Sequence, residues 1–150
     1  MKVFSWFIPV ISVIGILKLK NIMKTGITTE LEIQYNVSKL GAIVSIPYGD
    51  CARYDHIWDI NGKLLRVQIK TASPLEDGSG FKFPGKNGAG KYDESQIDGI
   101  ATMFDGKCYF VPISNCSNET KLRYNLPANA NPDHIKFAYD YELHRILRTL

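Results

Sequence analysis

Asp55, Gln68 and Lys70 are the residues of this chain whose types and spacing could do chemistry together. They lie on either side of Asn61-Gly62, the strongest short signal for a two-residue hairpin, because a type I′ turn needs positive φ at both central positions. If those two residues form the loop, Ile60 pairs with Lys63, Asp59 with Leu64 and Ile57 with Arg66. Asp55 then faces Gln68, and Arg53 faces Lys70. A side-chain period of two puts Asp55, Gln68 and Lys70 on one sheet face. A carboxylate and a carboxamide are hard oxygen donors suited to a divalent cation. The ammonium beside them suits the orientation of a water or the stabilisation of developing negative charge. The plainer alternative is a cross-strand or diagonal salt bridge between Asp55 and Lys70.

A fourth candidate comes from the element before the hairpin. Residues 25–40 read as an amphipathic helix stopped by Gly41. At about 100° per residue, Ile27, Leu31, Ile33, Tyr35, Val37 and Leu40 form a broad apolar arc, with Glu32, Asn36 and Lys39 outside it. Glu30 falls inside the arc, and a carboxylate aimed at a core needs a partner or a metal ion. Satisfying a basic core residue is the alternative. Residues 42–47 predict a short strand, 53–60 a second, and the hairpin a third. Residues 73–90, rich in Gly, Ser, Lys and Pro, predict a long mobile loop. Residues 94–104 predict a helix, followed by a turn at Asp105-Gly106 and a strand through Lys107–Ile113. Leu122 to Tyr124 predict a short strand or edge, and residues 133–150 a closing helix with Ile135, Ala138, Leu143, Ile146 and Leu147 as its apolar positions.

These elements must be held by one core. A chain of 150 residues, 45% hydrophobic and 22% charged, is an ordinary globular domain in composition. A formal net charge of +3 permits a nucleic-acid partner without arguing for one. The odd set Cys51, Cys108 and Cys116 has no C-x-x-C spacing, so neither a disulfide framework nor a zinc site follows, and a cytoplasmic setting is expected. Residues 1–22 differ: Val3 to Leu17 is apolar, flanked by Lys2, Lys18, Lys20 and Lys24, and shorter than the roughly twenty residues of a spanning helix. A translation start at Met23, a membrane anchor and an extra packed element are the three readings of that leader. The domain proper is expected over residues 23–150.

The pattern Asp55-x12-Gln68-x-Lys70, with Glu30 on the preceding helix, resembles the PD-(D/E)XK nuclease superfamily. Within it, the chain is similar to small endonucleases that include a group I intron-encoded homing enzyme, and to archaeal Holliday-junction resolvases. The resemblance runs through Gly26-x-x-x-Glu30, Gly41 to Pro47, Arg53-Tyr54-Asp55-x-x-x-Asp59 and Gly62 to Thr71. It extends more weakly to Ile97-Asp98, Tyr109 to Pro112 and Ala138 to Glu142. The departure is Gln68, where the usual residue is acidic. The resemblance implies an α/β restriction-endonuclease-like core, a central mixed β-sheet flanked by helices.

It further implies a Mg²⁺-dependent DNA endonuclease, with Mn²⁺ able to substitute. Glu30, Asp55, Gln68 and the Ile69 carbonyl would hold metal, and Lys70 would act on the attacking water. Phosphodiester hydrolysis needs these parts: an activated water, stabilised charge on phosphorus and help for the leaving oxygen. Double-stranded DNA is the expected substrate and a homodimer or higher oligomer the expected state, because one such site cuts one strand. Arg53, Lys82, Lys86 and Lys91 are the expected DNA contacts; a solvated surface excursion is the alternative for the last three. A nuclease fold kept as a DNA-binding module without cleavage, with Gln68 as the motive, is a second class of function. A membrane-tethered protein of unknown activity, resting on the leader, is a third. Asp59 is expected to pair diagonally with Arg66, His56 and Trp58 to pack inward, and Asp50 to stand as a reserve ligand. His134 and His144 have no assigned partner.

Overall fold

The computed structural model describes residues 26–128 and 131–149, so the leader over residues 1–22 lies outside the described residues. Helix α1 (Ile27–Lys39) leads to a five-stranded sheet in the order β1 (Ile43–Ser45), β2 (His56–Ile60), β3 (Lys63–Ile69), β8 (Gly99–Phe104), β9 (Lys107–Pro112). The sheet is mixed: β3 and β8 run parallel, and every other pair is antiparallel. Asn61 and Gly62 close the β2–β3 hairpin with φ of 53° and 88°, and Ile60↔Lys63, Asp59↔Leu64 and Ile57↔Arg66 pair as the turn chemistry requires.

Successive residues of the central strands serve opposite cores. On one face, Ile33 and Val37 of α1 pack with Trp58, Leu65, Val67, Ala101 and Phe110. On the other, Ile100, Tyr109 and Val111 pack against Phe81, Phe83 and Leu122 of a second, three-stranded sheet. That sheet has the order β10 (Glu119–Arg123), β5 (Gly80–Pro84), β4 (Ser73–Pro74). Among the described residues the α-helices are α1 and the four-residue α2 (Leu143–Ile146), so only one face of the main sheet is covered by a long helix. No helix of the described residues is long and apolar enough to cross a membrane.

Several sequence expectations are corrected. The segment at residues 73–90 is no mobile loop but carries β4, β5, β6 (Lys86–Asn87) and the start of β7 (Gly90–Lys91). Its signal was the alternation Phe81-Lys82-Phe83, whose two rings are buried while the lysine between them faces out. Residues 94–104 form no helix: a turn leads into β8, whose first four residues are all buried, as in a strand covered on both faces. Such short apolar runs do not distinguish strand from helix by periodicity. Over residues 133–149 the chain forms 3-10 turns and α2 instead of one helix. Backbone bridges from Phe137 to Arg123 and from Glu142 to Tyr109 hold this segment to the sheets, and tertiary pairing displaces the helical pattern. The apolar arc of α1 is also narrower than expected. Ile33 and Val37 are buried with Thr29, whereas Ile27, Leu31 and Tyr35 are 74%, 60% and 63% exposed, and Leu40 is exposed too.

Candidate active site

Asp55 stands one residue before β2 and extends its ladder, its N–H donating to the Val67 carbonyl at 2.9 Å. The side chains then meet as the register demands: Gln68 Nε2 donates to Asp55 Oδ2 at 2.5 Å, across thirteen residues of sequence. The Ile69 N–H donates to the same oxygen at 2.7 Å. Gln68 Nε2 also lies 3.4 Å from the Ile69 carbonyl oxygen. The amide nitrogen thus sits between two of the oxygens expected to hold metal. An amide's nitrogen and oxygen are alike in shape, so the same side chain offers a donor oxygen on turning over.

Glu30 reaches the cluster from α1, half-buried, while Glu32 faces solvent. Burial, and secondarily the Asp55 charge, raises the Glu30 carboxyl above its ordinary value. Among the described residues neither Glu30 nor Asp55 is ion-paired, and the Asp55–Lys70 salt bridge weighed from sequence does not form. Two carboxylates drawn together without a counter-ion, next to a backbone carbonyl, are a donor set of hard oxygens that fits Mg²⁺. His56, directly after Asp55, is buried, and burial lowers its pKa against the pull of Asp55. Its role is packing.

Arg53 and Lys70 meet over one ring. Arg53 Cζ lies 5.3 Å and Lys70 Nζ 5.4 Å from the centroid of Tyr92, a residue that sequence reasoning passed over. Arg53 Nη2 also donates to Gln96 Oε1 at 3.3 Å. The segment carrying Tyr92 and Gln96 is anchored by Arg66, which reaches both oxygens of Asp98 at 3.1 Å and the carbonyls of Ser95 and Glu94 at 2.6 and 3.0 Å. Arg66 therefore pairs with Asp98, not with Asp59. Asp59 instead holds the hairpin turn, its Oδ1 accepting from the Gly62 N–H at 2.8 Å. Nothing in the spacing marks Tyr92, because it lies in a turn-rich stretch without period; only its aromatic type among lysines was a hint.

The other expected cations lie elsewhere in the fold. Lys82, on the outer side of the three-stranded sheet, pairs with Glu119 at 3.1 Å. Lys86 and Lys91 are exposed and directly opposite each other across the small β6–β7 hairpin. Asp50 lies in an exposed turn, His134 is exposed, and His144 Nδ1 stands 3.6 Å from Glu142.

A mixed sheet that joins the Asp55 carboxylate to the Gln68 amide, with Glu30 of α1 close enough to feel the Asp55 charge, fits the restriction-endonuclease-like class of α/β proteins. The chain belongs to the PD-(D/E)XK endonuclease family, whose model matches residues 20–144. Among solved structures it is similar to a bacterial homing endonuclease, I-Ssp6803I, with a TM-score of 0.63 at 21% identity, over 83% of this chain and 90% of that one. That likeness carries the fold. No protein with a curated description matches.

Proposed function

We propose that this protein is a Mg²⁺-dependent endodeoxyribonuclease of the homing or restriction kind, hydrolysing phosphodiester bonds of double-stranded DNA. The observation that supports it most is the convergence of Glu30, Asp55, Gln68 and the Ile69 carbonyl, with two acidic groups and no counter-ion among the described residues. Asp55, Glu30 and the Ile69 carbonyl would hold the cation, and Gln68 would add its oxygen once its amide turns over. A bound divalent cation supplies charge neutralisation at the phosphate and makes a neighbouring water more acidic. Lys70 orients the attacking water by hydrogen bonding and stabilises negative charge as it grows on the phosphate oxygens. Mn²⁺, with the same taste for oxygen, substitutes.

Lys86 and Lys91 support a polyanionic substrate. Like charges directly opposite on a hairpin repel, and a phosphate between them relieves the repulsion. Because one site cuts one strand, two copies act together on a duplex. The exposed row Ile27, Leu31 and Tyr35, at helical spacing on α1, is the surface we assign to that pairing. Three free cysteines suit a cytoplasmic setting.

The Gln68–Asp55 hydrogen bond favours one other reading, in which the amide replaces the cation and the protein binds DNA without cutting it. Supercoiled plasmid incubated with the protein, with and without Mg²⁺ or Mn²⁺, separates the two. Cleavage that requires the cation and is abolished in Asp55→Ala, with DNA binding kept or tightened, is the expected result. DNA binding that needs no divalent cation, with no cleavage under either cation, establishes the second reading.

A further inference from the structure

We propose that Tyr92 is a positioning residue, a ring platform that holds Arg53 and Lys70 side by side to grip one DNA phosphate. This rests on the nuclease reading and adds to it a residue and a ligand atom. Five strand-borne cations pair with carboxylates, Arg66 with Asp98, Lys82 and Lys121 with Glu119, Lys107 with Glu142 and Arg123 with Asp77, whereas Lys63, Lys86 and Lys91 form no ion pair among the described residues. Among the described residues Arg53 and Lys70 form no ion pair, Asp93 feeling the Arg53 charge only at longer range, and the two share the Tyr92 ring instead. Two neighbouring cations repel. The negative face of an aromatic ring attracts both without cancelling their charge, which a carboxylate would do.

The ring is well placed for this. Tyr92 is 3% exposed and packs in the core between the sheets, so it does not swing away. The Arg66 anchor fixes the turn behind it. Asp93 tightens that turn, accepting from the Ser95 N–H at 2.8 Å. Arg53 is only partly satisfied: Nη2 donates to Gln96, and the Nε–H is closed to solvent with no partner among the described residues. A phosphate meets the guanidinium from its open side, and the planar fork suits phosphate oxygens well. Lys70, over the same ring, is the residue assigned to the reacting phosphate. The pair therefore faces a single anion, the phosphodiester being cut, with Arg53 binding a non-bridging oxygen and Lys70 set between the oxygens on which charge grows and the attacking water.

The test replaces Tyr92 by Phe, by ring-fluorinated phenylalanines and by Leu, and follows melting temperature, kcat and KM on a duplex oligonucleotide, and the salt dependence of DNA binding. Tyr92→Phe should keep kcat within about threefold, because the ring face is kept, and Tyr92→Leu should lower it about tenfold or more. Each added fluorine weakens the ring face at nearly constant shape, so kcat should fall stepwise while the melting temperature holds. Arg53→Gln should reduce the salt slope of DNA binding by about one unit. If Tyr92→Leu does not fold, the fluorine series alone decides. A flat kcat across that series, with the wild type active, overturns the platform and leaves the nuclease reading standing. A wild type that never cuts overturns the nuclease reading, and the binding slopes of the same variants then decide the phosphate grip.

Discussion

Glu30 and Glu32 are two positions apart on α1 and meet different fates, half-buried beside Asp55 and exposed to water. The raised Glu30 carboxyl carries a stability consequence whose sign is fixed. Its ordinary value is 4.5, and the native state holds the proton more tightly than the unfolded chain does. The contribution to stability is complete below that value and is lost as pH rises through the higher native one. At neutral pH the ionised carboxylate is a liability, so without divalent cation Glu30→Gln should melt higher than wild type at pH 7, and the gain should vanish below pH 4.5. The same variant should lose roughly 10²-fold or more in Mg²⁺-dependent cleavage. Glu32→Gln should change stability by less than ~0.5 kcal/mol and leave cleavage intact. Melting curves across pH and a plasmid-nicking time course check both, and a crippled Glu32→Gln would reverse the assignment. These side chains were legible in the sequence because two rigid periodicities, a helix phase and a hairpin register, place them. Tyr92 was not, since its position depends on Arg66 reaching a turn some thirty residues later, which no local pattern encodes.

At the scale of elements, what was legible followed from turn chemistry and what was not followed from long-range pairing. Asn61-Gly62 and Asp105-Gly106 both adopt positive φ and define two hairpins by themselves. The strand β8 was hidden because it lies between β3 and β9, and its partners, rather than its pattern, make it a strand. Gly99 shows how close that packing is. A Cβ there would stand 2.3 Å from the Phe110 ring and 2.7 Å from the Val111 carbonyl oxygen. Gly99→Ala should therefore cost about 1–3 kcal/mol, an overpacking penalty in a core that cannot open on one side only. Denaturant unfolding measures it, and an unchanged midpoint would mean that β9 shifts freely. The closing segment was misread for the opposite reason: its helical pattern is real, but the bridges to Arg123 and Tyr109 engage its backbone first.

For the molecule as a whole, the main sheet has an edge at β1 and a helix beside it whose outward row is apolar. If that row joins two copies, Leu31→Glu should leave the fold and single-strand nicking intact while suppressing linear product. Sedimentation should show a lighter species than wild type. Unchanged mass together with full linearisation would remove α1 from the interface. The two hydrophobic clusters explain how so small a domain carries such a site: the central strands bury residues on both faces, and the chemistry is set at the strand ends, where carboxylates still reach water.

The two-residue turn at Asn61-Gly62 also bears on the order in which the chain folds. Contacts near in sequence form fastest, and hairpins close in about 1–10 μs. Asp55 and Gln68, thirteen residues apart, meet as soon as β2 zips onto β3. The parallel docking of Gly99 against Val67 must wait for an excursion that contains the second sheet to close. Gly62 has φ of 88°, a backbone conformation that alanine resists. Stopped-flow refolding of Gly62→Ala should be slowed with little change in the unfolding rate, the signature of a nucleus. An effect confined to unfolding would place the nucleus elsewhere. Slowed folding would make the hairpin that carries Asp55 and Gln68 the oldest structure in every folding event, assembled before there is a sheet to carry it.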